Sequence, residues 1–217
     1  MSHALSATSL RLRIGDRQLL DGVELRAEPG EMVAVVGPSG SGKTTLLLVL
    51  AGVLLPDSGE VSYPSRSPEA SAQVRIGLVP QTIGLAANLT AAENVALPLQ
   101  AAGLERDEMR ARTEQVLTEL GLGSTLDRLV TDLSGGQRQR VAVARALAGR
   151  PEILLADEAT AELDGEHQVI VMDLFARRAA EGAAIVVTTH DELVAERCDR
   201  VLALEDGRLA PSGAGGG

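Results

Sequence analysis

The sequence predicts an α/β fold built on a mainly parallel sheet, with an antiparallel β subdomain near the N-terminus and an inserted helical subdomain. Three observations predict it. Apolar runs recur at 32–36, 74–79, 153–156 and 185–188, the pattern of short strands buried on both faces. Helical segments separate these runs, which makes the sheet largely parallel. The stretch from about 86 to 145 is helical throughout and sits between two such alternating stretches.

In chain order, Leu10, Leu12 and Ile14 alternate with Arg11 and Arg13, the two-residue period of a half-exposed strand. Asp21-Gly22 predicts a turn, with a strand over 23–27 after it, and Pro29-Gly30 a second turn. The strand at 32–36 ends at Gly37 and passes through a glycine-rich loop. A helix over about 43–51 follows, stopped by Gly52 and Pro56. Val61 and Ser62 read as a short strand, and the Ser-, Pro- and Ala-rich residues 63–72 as an exposed loop. After the strand at 74–79, residues 89–122 are mostly helical, with Met109, Val116, Leu117 and Leu120 on one face and Gly121 as the stop. Ser134 begins a helix that runs to about Arg150. Strands at 153–156 and 185–188 flank a crossover helix over about 166–180. Residues 201–204 and 208–210 form a small hairpin around Asp206-Gly207, and 211–217 read as a flexible tail. One domain over 1–210, with a helical insert at about 86–145, accounts for the rest.

Composition narrows the function. Among 217 residues only Tyr63 and Phe175 are aromatic, histidines aside, and 45% are hydrophobic. The core is therefore aliphatic, and base stacking on nucleic-acid single strands is disfavoured. A formal charge of -10 argues in the same direction, against nucleic acid as a partner. The single cysteine, Cys198, excludes an internal disulfide framework and reads as a small, part-buried apolar residue. The longest apolar run, 46–55, is half the roughly 20 residues that a spanning helix needs. Residues 1–13 carry no apolar leader. Both predict a cytoplasmic protein.

Gly37, Pro38, Ser39, Gly40, Ser41, Gly42, Lys43 and Thr44, with Thr45 after them, match the P-loop pattern in full, between a buried strand and a helix. Glycines let backbone approach phosphate closely, and their amides form a nest for anions. The helix N-terminus adds partial positive charge. Lys43 is expected on the β- and γ-phosphates and Thr44 on Mg²⁺. The fold class is thus an α/β P-loop NTPase core, whose use of the triphosphate the motif alone does not reveal.

Leu133, Ser134, Gly135, Gly136 and Gln137 resemble the signature motif of ABC ATPases, and the resemblance runs from about residue 8 to 210. The residues 153–157, ending in Asp157, are similar to Walker B, and Glu158 stands where that family has its catalytic glutamate. Residues 161–164, ending in Asp164, resemble the D-loop. Gln81 is similar to the Q-loop glutamine and His190 to the switch histidine. The run 89–95 with Pro98 resembles ATPases of lipoprotein-releasing, macrolide-exporting and cell-division transporters.

The resemblance implies ATP and Mg²⁺ as cofactors, with Thr44, Gln81 and Asp157 as the metal shell. It implies Glu158 as general base on the attacking water and His190 as a contact to γ-phosphate and water. Ser134 and its neighbours would meet ATP bound to another copy, with Asp164 coupling the two sites. The implied partners are a second copy, or a paralogous ATPase, and a transmembrane permease. Its short cytoplasmic helix would dock near Gln81 and Ile83. That places the chain on the inner face of the membrane through its permease. ATPases that regulate cell-wall cleavage through a membrane partner carry the same residues and remain an alternative. Soluble cassettes of DNA repair or translation are disfavoured by the acidic charge and the single cassette.

Four departures from the family pattern carry expectations. Ile14 stands where an aromatic usually stacks on adenine, predicting weaker purine stacking and looser discrimination between ATP and GTP. Ala159 replaces a common proline and loosens the D-loop slightly. The segment 59–81 is short, and no further domain is expected after the Asp206-Gly207 turn.

Overall fold

A computed structural model describes residues 4–63 and 74–212. Among the described residues nine strands and six α-helices follow in order. They are β1 (Leu5–Ile14), β2 (Arg17–Ala27), β3 (Met32–Val36), α1 (Lys43–Leu50), β4 (Ser58–Ser62) and β5 (Ile76–Val79). Then come α2 (Ala91–Ala101), α3 (Arg106–Glu119), α4 (Gly135–Ala148), β6 (Ile153–Asp157) and α5 (Gly165–Ala180). The chain closes with β7 (Ala184–Thr188), α6 (Glu192–Ala195), β8 (Arg200–Glu205) and β9 (Arg208–Pro211).

Two sheets result. One is antiparallel, ordered β2-β1-β4; the other is ordered β5-β6-β7-β3-β8-β9, parallel except for the β8–β9 hairpin. Successive side chains of a strand face opposite ways, and this builds two cores. Ile153, Leu155, Ala184 and Val186 face α1 and the antiparallel sheet, while Leu154, Ala156, Ile185 and Val187 face α2 to α5. The expected helix face is confirmed: Val116, Leu117 and Leu120 are buried and Met109 packs against them. Gly121 ends that segment at φ +70. The helices between β5 and β6 pack on one another and share the second core with the sheet.

The antiparallel sheet corrects one expectation. The turn joining β1 to β2 is Gly15-Asp16, closed by the pair Ile14 and Arg17, and β2 runs on through Asp21-Gly22. Gly22, at φ +71, is a bulge: Leu10 faces Val23 and Arg11 faces Asp21, leaving it unmatched. An Asp-Gly pair supplies the backbone freedom for a turn, but a bulge uses the same freedom. The amide of Asp21 also donates to the Gly207 carbonyl at 2.8 Å, tying this sheet to the β8–β9 hairpin.

Two smaller corrections follow. Tyr63, read as the start of an exposed loop, is half-buried and its hydroxyl donates to the Leu50 carbonyl at 3.2 Å; the rest of that loop, 64–73, lies outside the described residues. Pro211, read as the start of a tail, pairs with Leu202 in β9, and the Ser212 amide donates to Val201. Only 213–217 of the supposed tail lie outside the described residues. Cys198 is part-buried, and burial pushes its thiol up to about 11, so it is a poor nucleophile. Among the described residues no helix is long and apolar enough to cross a membrane.

Candidate functional site

Parallel strands place all their C-terminal ends at one edge, where open α/β sheets bind ligands. β3 leads into the loop 37–42, β5 into Gln81, β6 ends at Asp157 and Glu158, and β7 leads to Thr189 and His190. The strand order β5-β6-β7-β3 sets these four ends side by side.

The glycine-rich loop needs its glycines for space as well as for φ. A Cβ on Gly37, at φ +153, would lie 2.3 Å from the Leu204 carbonyl oxygen. One on Gly42, at φ +107, would lie 2.6 Å from that of Leu19. The loop thus wraps with its backbone pressed against its neighbours. Lys43 is buried, and its Nζ donates to the carbonyls of Gly37 at 2.7 Å and Pro38 at 3.1 Å. It stands inside the loop that it would serve.

Ser39, Gly40, Gly42, Lys43, Thr44, Thr45, Gln81, Asp157 and Glu158 line one cleft of roughly 360 Å³, with Arg17 and Leu19 at its side. Pro38, Ser39, Gly40 and Ser41 line a second hollow on the other side of the loop, with Arg17 and Asp206. The sequence thus named most of the lining, but it missed Arg17 and Leu19, which belong to no motif. It also missed Thr188, whose hydroxyl donates to Asp157 Oδ1. Among the described residues the other oxygen, Oδ2, is buried with no partner, as is Ser41 Oγ. A buried carboxylate oxygen left free beside a threonine hydroxyl and a phosphate nest suits a hard divalent cation.

Glu158 has φ +50, a strained angle for a side-chain-bearing residue. Its amide donates to the Thr188 carbonyl at 3.1 Å and hydroxyl at 3.3 Å, and Ala159 behind it is buried. Its Oε2 lies 2.9 Å from His190 Nδ1. His190 is largely exposed while the Glu158 side chain is 12% exposed, so the carboxylate points into the cleft mouth under an imidazole.

The signature residues lie elsewhere. Ser134 caps α4, with its Oγ accepting from the Gln137 amide at 3.2 Å and its own amide donating to Gln137 Oε1 at 3.0 Å. Leu133 is buried and its carbonyl accepts from Arg138. Gly135 and Gly136 pack against Glu162, leaving 3.2 Å between its atoms and any added Cβ. None of these residues lines the cleft of its own chain. Asp164 caps α5. The backbone amide of His167, and then its ring at 2.7 Å, hold that carboxyl below the usual carboxylate range.

Known proteins fit this geometry. The family profile described as ABC transporter matches residues 20–161. The lipoprotein-releasing system ATP-binding protein LolD 2 of Caulobacter vibrioides is 43% identical over 204 residues, 90% of each chain. The macrolide export ATP-binding/permease protein MacB 1 of Aeromonas hydrophila is 40% identical over 94% of this chain and 34% of that longer protein. The dimeric cassette MJ0796, in a post-hydrolysis state with ADP and Pi, superposes with a TM-score of 0.86 at 33% identity. It covers 95% of this chain and 98% of that one. The P-loop cleft, the acidic strand end and these likenesses agree: the chain belongs to the ABC transporter family, as an ATP-binding and ATP-hydrolysing subunit.

Proposed function

We propose that two copies of this chain close head-to-tail over two ATP molecules and so drive a separate transmembrane permease. The observation that carries this is the split of the site. The phosphate loop, Gln81, Asp157 and Glu158 share one cleft, and the capped N-terminus of α4 at Ser134 lies outside it. A helix N-terminus offers amides to an anion, and here the anion is the γ-phosphate held by the other copy. MJ0796, the dimeric relative, supports that reading.

In this reading Lys43 neutralises the β- and γ-phosphates, and Thr44, Gln81 and Asp157 would hold Mg²⁺. Mg²⁺ supplies charge neutralisation and orientation when bound. Glu158 takes the proton from the attacking water, His190 holds that carboxylate and the γ-phosphate in line, and Asp164 relays closure across the seam. The protein sits on the inner face of the membrane through its permease.

A groove of about 970 Å³ between α2, α3 and α4 and β5, lined by Pro98, Leu99, Ala102, Leu104 and Arg145 among others, suits the permease's short helix. Arg145 donates to the carbonyls of Gly84 at 2.7 Å and Ile83 at 3.2 Å. Arg145 therefore links the groove wall to the loop that follows Gln81. Transport is favoured over a purely regulatory role by the likeness to LolD 2 and MacB 1.

Affinity purification from detergent-solubilised membranes tests both halves. We expect the tagged chain to bring down a multi-span protein, and the complex to hydrolyse ATP only until Mg²⁺ is chelated. Recovery of the chain alone, or turnover indifferent to chelation, contradicts the proposal.

A further inference from the structure

Among the described residues no aromatic ring lines the nucleotide cleft. Phe175 is fully buried in α5, and Tyr63 is held by its hydroxyl on Leu50. No other aromatic ring exists apart from the histidines. What the hairpin tip offers instead is a cation. Ile14 and Arg17 face each other across the Gly15-Asp16 turn, and residues opposite in an antiparallel ladder share a face. Ile14 is 57% exposed. Arg17 reaches the phosphate loop, its Nη2 donating to the Gly40 carbonyl at 2.6 Å.

The guanidinium meets that loop with its terminal nitrogens leading. Its Nη2, Nη1 and Cζ stand 3.3, 3.6 and 3.9 Å from the point where a Cβ on Gly40 would be. A guanidinium has five donor hydrogens. Among the described residues Arg17 makes one side-chain hydrogen bond, to Gly40, and no ion pair with a carboxylate. It lines both the nucleotide cleft and the hollow behind the loop. The charged groups facing these spaces are Asp157, Glu158 and Asp206 on one side of the balance, with Lys43 and Arg17 on the other. Without Arg17 the nucleotide cleft would set one side-chain cation, Lys43, against Asp157 and Glu158.

We propose that Arg17 is a nucleotide-binding residue that holds the polyphosphate together with Lys43, so that affinity is carried by phosphate charge and not by the base. This rests on the reading of the P-loop cleft as a triphosphate site. It follows that ATP and GTP bind nearly alike.

Binding of the imido analogues of ATP and GTP, and of inorganic tripolyphosphate, is measured for the native chain, R17A, R17Q and R17K at two salt concentrations. R17A is expected to weaken all three ligands by one common factor, roughly tenfold, and to flatten the salt dependence. R17Q, which keeps a donor for Gly40 but no charge, should match R17A, and R17K should recover most of the loss. Unchanged binding in R17A overturns the proposal. So does native-like binding in R17Q, which would make Arg17 a brace for the Gly40 peptide. A loss that spares tripolyphosphate overturns it too, by placing the contact on the base. K43A measured alongside separates the two readings: if it binds as well as the native chain, the triphosphate site itself is wrong, whatever Arg17 does.

Discussion

Glu158→Gln is expected to slow ATP turnover by roughly 10²-fold or more while leaving ATP binding in place. The substitution removes the carboxylate proposed to take the proton from water and changes almost nothing else. The backbone at this position is strained at φ +50, a cost of about 1–3 kcal/mol that the surroundings must hold. They do so through main-chain bonds to Thr188 and the buried Ala159, and glutamine keeps all of these. The contact to His190 at 2.9 Å also survives, since an amide oxygen can accept from a ring N–H. Phosphate release over time, measured beside equilibrium nucleotide binding, separates the two effects. Native turnover in the variant would remove Glu158 from its assigned role.

Lys43→Ala acts at the earlier step and should lower ATP affinity by roughly two orders of magnitude. The side chain is buried within the loop, and its ammonium holds the carbonyls of Gly37 and Pro38. Alanine deletes the charge proposed to meet the β- and γ-phosphates. It also leaves two carbonyls turned inward without a donor, so the nest loses its partner as well as its charge. Calorimetric titration with Mg-ATP measures the change, and a matching far-UV spectrum shows that the fold is kept. Unaltered affinity would mean that phosphate is bound elsewhere.

Much of this was readable from residues alone, for identifiable reasons. β3, β6 and β7 are buried on both faces, so their sequences carry short apolar runs, the pattern of strands covered on both sides. The phosphate loop is readable because its geometry admits only glycine at Gly37 and Gly42, where neighbouring carbonyls leave no space. The buried strands and the loop that lie next to the chemistry are thus the parts with the strongest local constraints.

What escaped was decided by partners far along the chain. Asp21-Gly22 carries a turn signal, and only pairing with β1 and the Gly207 carbonyl makes it a bulge. Pro211 looked like the start of a loose end, and only Leu202 opposite makes it a strand. Arg17 is an exposed arginine after a short turn, indistinguishable in sequence from any solvated charge. Its position over Gly40 depends on how the two sheets stack. Thr188 was read as the end of a strand, and its bond to Asp157 appears only once β6 and β7 are neighbours.

The central claim is that one copy's phosphate loop and the other copy's α4 N-terminus close on the same ATP. Cysteine cross-linking tests it most directly, with Ser39→Cys in one population and Ser134→Cys in another, both carrying Glu158→Gln. Both serines are exposed in the single chain, and the native Cys198 thiol, pushed up to about 11 by burial, is too little ionised to compete. The account predicts a disulfide between the two populations that forms on mixing with ATP, and not without nucleotide or in either population alone. No cross-link with saturating ATP, or one that forms equally without it, would contradict it.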